Sequence, residues 1–96
     1  MNVEILDEAR TDLIDGFHFY ESQVPGLGDY FLESLFSDIE SLRLYAGIHP
    51  IVYRYHRLLA KRFPFAIYYA LHGNIARVIA ILACRQDPEK AQSRLA

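Results

Sequence analysis

The feature that most limits what this chain can fold into is a change of hydrophobic period near its middle. Before it, apolar residues recur at three- and four-residue steps. Ala9, Leu13, Phe17, Tyr20 and Val24 form one series, and Phe31, Leu35, Ile39 and Leu42 a second, widened by Leu32 and Phe36. That spacing draws an apolar stripe down one side of a helix. After it, Phe65, Ile67, Tyr69 and Leu71 alternate with Ala66, Tyr68 and Ala70, the two-residue period of a strand. Helices therefore come first and a sheet follows.

The punctuation between these segments sets their order. Val24-Pro25-Gly26-Leu27-Gly28 interrupts the first stripe, predicting two antiparallel helices over residues 8–23 and 27–46 joined by a tight turn. Asp7 is placed to cap the first helix with its carboxylate, and Gly47 and Pro50 close the second. Val3, Ile5 and Leu6 read as a short opening strand. Strands are expected over 53–60, 64–71 and 75–84, with His72-Gly73-Asn74 turning the last two back on each other. The Ile- and Ala-rich run from Ile75 to Cys84 suits a strand covered on both faces, inside the sheet. Asp87-Pro88 can open a short final helix. The expected order is β-α-α-β-β-β, an α+β fold with a two-helix hairpin on one face of a mostly antiparallel sheet. A length of 96 residues fits one domain, 1–96.

Charge is unevenly placed. Residues 1–48 hold ten acids and two bases (−8), and residues 49–96 eight bases and two acids (+6), within a net charge of −2. Either the basic half meets an anionic partner or both halves carry solvated charge on their own elements. No run reaches the roughly 18 apolar residues of a membrane span, and the opening segment carries acids rather than a basic signal region. The single Cys84 cannot form an internal disulfide, and a cytoplasmic location is expected. Its place in an apolar strand points to inert packing.

Enzyme signatures are missing: no Gly-rich phosphate loop, CxxC, HExxH or GxSxG occurs. His18, His49, His56 and His72 fall on four different expected elements without ligand-like spacing, so neither a metal site nor a cofactor is expected. What remains is a basic-aromatic constellation. Arg54, His56, Arg57, Lys61, Arg62, Arg77 and Arg85 are interleaved with Tyr53, Tyr55, Tyr68 and Tyr69. Guanidinium and ammonium groups bind phosphates or carboxylates, and aromatic faces stack on bases or pack in interfaces. A solvated edge strand, kept from aggregating by its charges, has the same composition.

Several strings, in this order, resemble the RelE/ParE toxin superfamily, in particular its plasmid-stabilisation, ParE-like branch. They are the acid-rich segment Asp7–Tyr20, Pro25-Gly26-Leu27-Gly28, His49-Pro50, the run from Lys61-Arg62-Phe63-Pro64 through Tyr69, and Arg85-Gln86-Asp87-Pro88. The resemblance covers nearly the whole chain. It implies the toxin of a type II toxin–antitoxin system, a growth inhibitor held inactive in a hetero-oligomer with its antitoxin. In the RelE-like branch, ribosome-dependent mRNA cleavage uses an Arg on the sheet, a second Arg after the last strand and a C-terminal Tyr or His. Here the first of those positions falls at Ala66, the second at Arg85 and the third near Ala91, while Cys84 stands where a basic residue or His often precedes the second Arg. Arg85 is thus the one catalytic candidate. The resemblance then favours a non-catalytic, protein-binding toxin with a target such as DNA gyrase. A ribosome-dependent nuclease using Arg85 with Lys61, Arg62 or His56, and a non-toxic binding protein, stand as alternatives.

For partner binding, Arg54, His56, Arg57, Lys61, Arg62, Tyr68 and Arg85 are the expected residues, contacting an acidic antitoxin segment. With the helices on the Phe65 face, the small-sided face of Ala66, Tyr68 and Ala70 would be open to an antitoxin helix, unless the chain's own final helix fills it.

Overall fold

The computed structural model describes residues 1–96. Strand β1 (Asn2–Ile5) leads into helix α1 (Asp7–Glu21) and then helix α2 (Leu27–Glu40), extended by one further turn, α3 (Leu42–Tyr45). Strands β2 (Ile51–Val52), β3 (Tyr55–Leu59), β4 (Phe65–His72) and β5 (Ile75–Ala83) follow, and helix α4 (Pro88–Leu95) ends the chain. The five strands form one sheet in the order β1-β5-β4-β3-β2, with β1 parallel to β5 and every other pair antiparallel. The α+β class, the helical hairpin and the mostly antiparallel sheet are as the two hydrophobic periods predict.

The sheet is packed on both faces. Toward the hairpin, Ala9, Leu13, Phe31, Leu35, Ile39 and Leu42 meet Ile67, Tyr69, Ala76, Val78 and Ile81. Each large side chain fully buried here contributes about 1.5–3 kcal/mol. The opposite face gathers Ala66, Tyr68, Ala80 and Leu82 beneath Leu95, with Ala91 of α4 packed alongside. The chain's own C-terminal helix therefore fills the face expected to be free for an antitoxin helix. On β5 the inward residues change parity because Tyr68 pairs with Ala80 and Tyr69 with Val78, leaving Ile79 as an extra residue. This bulge lets Val78 and Ile81 face the hairpin while Ala80 and Leu82 face α4.

Several expectations are corrected. Leu6 occupies the cap of α1 and Asp7 is its first residue, so Asp7 makes no side-chain cap bond and acts with Glu8 only as first-turn charge. The helix ends at Glu21, which leaves Val24 outside it and exposed. In α2 the exposed Phe36 does not widen the buried stripe; Ser34 and Asp38 are buried instead. The strand expected over 53–60 is shorter, β3 at Tyr55–Leu59; Tyr53 and Arg54 instead form a turn that joins it to β2, both residues at positive φ (53° and 75°). Positive φ at both central positions is the type I′ pattern of two-residue hairpins, a requirement usually met by Asn or Gly and costly for a bulky Tyr. Cys84 lies past the end of β5 and is exposed, so it is not a packing residue.

Candidate functional site

The basic-aromatic residues do not form one surface. Arg54 sits at the β2–β3 turn, whereas Lys61 and Arg62 lie in the β3–β4 loop at the far end of the sheet. Successive residues of β3 point to opposite faces, so His56 stacks on Tyr69 (ring centroids 5.0 Å apart) beneath the hairpin, while Arg57 lies across the sheet on the α4 side. Tyr68 is 5% exposed under α4, which removes it from any open docking face. Arg85 follows β5 and is exposed. Because Phe65 pairs with Ala83, Arg85 belongs to the same sheet end as Lys61 and Arg62.

That sheet end holds a cleft of about 510 Å³, between α1, the start of β4, the end of β5 and α4. Its lining takes Asp12, Asp15, Phe19 and Tyr20 from α1, Phe65, Ile81 and Leu82 from the sheet, Arg85 from the segment after β5 and Arg94 from α4. The α1 wall is locked in place by Asp12. Its carboxylate accepts the Ile81 N–H at 2.9 Å and both terminal nitrogens of Arg94 at 2.9 Å. These bonds to Asp12 hold the Arg94 guanidinium more firmly protonated than usual, against the opposing effect of its burial. Burial likewise raises the Tyr20 hydroxyl above the ordinary tyrosine range, partly offset by the nearby Arg85 charge.

Free and consumed cations can be told apart. Arg43, Arg77 and Arg94 pair with Glu40, Glu4 and Glu8/Asp12. Arg54, Arg57, Lys61, Arg62 and Arg85 have no carboxylate within ion-pair distance. At one sheet end, then, Lys61, Arg62 and Arg85 hold unneutralised charge next to an apolar cleft. Ala66 and Ala91, the positions that the resemblance aligned with catalytic groups, both belong to the apolar cluster under α4.

A second polar group was not foreseen. His49 and His56, expected on separate elements, meet at Tyr69: the Tyr69 hydroxyl bonds His49 Nδ1 and accepts the Gly47 N–H at 2.8 Å. His56 Nδ1 lies 2.7 Å from the His49 carbonyl, which can only accept, so that nitrogen carries the proton. No three of His, Cys, Asp and Glu gather closely enough to hold a metal ion.

Compared by sequence, the chain matches no protein-family model and no curated protein. Compared by structure, it is similar to a chain of the solved "Chromosomal ParDE TA system from P. aeruginosa". The two superpose with a TM-score of 0.78 over 86% of this chain and 95% of that one, at 17% sequence identity. The fold is ParE-like. At that identity the likeness extends to the arrangement of elements and not to individual site residues. No helix is long and apolar enough to cross a membrane.

Proposed function

We propose that this chain is the toxin of a type II toxin–antitoxin system, a cytoplasmic protein-binding growth inhibitor of gyrase-type target, neutralised in a hetero-oligomer with its antitoxin. The observation that carries this reading is the fold likeness to a chain of a ParDE system over nearly the full length of both. The unneutralised Lys61, Arg62 and Arg85 beside an apolar cleft support a protein partner with acidic character. Apolar packing of Ala66 and Ala91 supports action by binding, because neither side chain can move a proton or neutralise a phosphorane.

Inducing the chain alone in bacteria, with separate pulse labels for nascent DNA and nascent protein, tests the proposal. DNA synthesis is expected to fall first, with growth restored when the antitoxin is co-produced. A primary block in translation would replace the gyrase-type target with the ribosome. Unimpaired growth would overturn the toxin reading.

A further inference from the structure

We infer that the cleft between α1 and the Arg85 end of the sheet is a peptide-docking site. It would take an acidic segment of a partner protein with a bulky apolar side chain in the cleft and a carboxylate on Arg85. The inference deepens the partner side of the proposed function and rests on that reading only for the partner's biological identity. Three observations carry it. The cleft, at about 510 Å³, has the size of sites that take ligand groups, about 300–1,000 Å³, and Phe65, Ile81 and Leu82 are among the apolar residues that line it. Phe19 on its wall is 58% exposed, a large aromatic surface left to water at the rim. Of the two cations lining the cleft, Arg94 is already paired with Asp12 and Glu8, while Arg85 has no carboxylate in reach.

Charge placement also sets the orientation and the class of the occupant. Asp15 stands on the α1 wall, and no cation pairs with it. A docking segment must therefore turn its acids toward Arg85, with Lys61 and Arg62 in the loop beyond, and away from Asp15. The same carboxylate, with the acids of α1 around it, repels a nucleic-acid backbone, whose phosphates would run along the whole cleft. A protein segment can place its charges on one side only, and a polyphosphate strand cannot.

Fluorescence anisotropy on the full-length chain tests this with labelled synthetic peptides about 15 residues long. One is built from Glu, Ala and Leu; a second has Gln for every Glu; a third has Ala for every Leu; a single-stranded oligouridylate is the nucleic-acid probe. The Glu/Leu peptide is expected to bind tightest. Its affinity should fall roughly tenfold or more in Arg85→Glu and in Phe19→Ser, and also as salt rises from about 50 to 300 mM. Arg43→Glu, on α3 and outside the cleft lining, should leave it unchanged. All three positions are exposed, and thermal melts confirm that each variant folds; Arg85→Gln serves if Arg85→Glu does not.

Equal binding of the Gln peptide, equal loss in Arg43→Glu, tighter binding of the oligouridylate, or no peptide binding at all would each overturn the inference. Its failure is separable from failure of the toxin reading. Growth arrest together with Arg85-independent peptide binding removes the docking site and leaves the toxin. Arg85-dependent binding without growth arrest removes the toxin and leaves the docking site.

Discussion

Tyr69 ties three segments together through one hydroxyl. Its ring is fully buried between the sheet and the hairpin, yet its oxygen accepts the Gly47 N–H and bonds His49 in the loop before β2. With His49 neutral, the Tyr69 O–H donates to Nδ1, and all three groups are satisfied. Protonation would turn Nδ1 into a donor and leave the hydroxyl hydrogen facing it. Burial lowers the His49 pKa below the ordinary histidine value, and the nearby His56 lowers it further. Because the folded value is depressed, the unfolded chain takes up the proton first as pH falls. Stability should therefore be fully present above about pH 6.5 and decline below it, toward the lower folded value. Urea midpoints measured from pH 8 down to 5 check this, and the decline should shrink in His49→Gln. The histidines were invisible as a group in the sequence because a loop residue and a strand residue meet only when β3 pairs with β4.

Side chains that reach from one element to another account for what neither hydrophobic period could predict. Glu21, at the end of α1, accepts the Gly26 and Gly28 N–H groups at 2.9–3.0 Å, placing a carboxylate at the start of α2 where unpaired donors and the helix dipole favour it. Gly28 itself has no room for a side chain: a Cβ there would lie 2.6 Å from the Phe17 ring. Buried Asp38 of α2 accepts the Lys61 N–H at 3.1 Å and so fixes the β3–β4 loop. Asp12 is the most consequential of these residues, because it holds β5 and α4 together against α1. Asp12→Ala should cost about 2–3 kcal/mol, since it strips a half-buried guanidinium and an amide of their acceptor. The loss should show first in α4. Hydrogen exchange is expected to report early loss of protection over residues 88–95, while β4 and β5 amides keep theirs down to global unfolding. The helices, the long strands and their faces were legible because long apolar stripes average over many residues. The β2–β3 hairpin was not, since Tyr53-Arg54 lacks the Asn or Gly that announces a two-residue turn. Nor was the parity change on β5, because Ile and Ala suit either face there.

Across the whole molecule, part of the charge asymmetry is used internally. Glu4, Glu8 and Asp12 of the acidic half pair with Arg77 and Arg94 of the basic half, stitching β1 and α1 to β5 and α4. Among the unpaired bases of the sheet, Arg54 stands at one end, Lys61, Arg62 and Arg85 at the other, and Arg57 between them on the α4 side, instead of forming one basic face. This division bears on RNA cleavage. A ribosome-dependent nuclease has to neutralise the charge growing on a phosphorane and move a proton in the same step. Losing one such electrostatic contact commonly costs about 2.7–4 kcal/mol, a rate factor of roughly a hundred to a thousand. Ala66 and Ala91 leave two contributors absent, and the apolar cluster in which they pack offers no charge in their place. Arg85 alone cannot act as both cation and base. Primer-extension mapping of translated mRNA after induction should therefore find no new ribosome-dependent cuts, and Arg85→Ala should leave that pattern unchanged. Cuts that vanish in Arg85→Ala would instead make Arg85 a catalytic residue and the chain a nuclease.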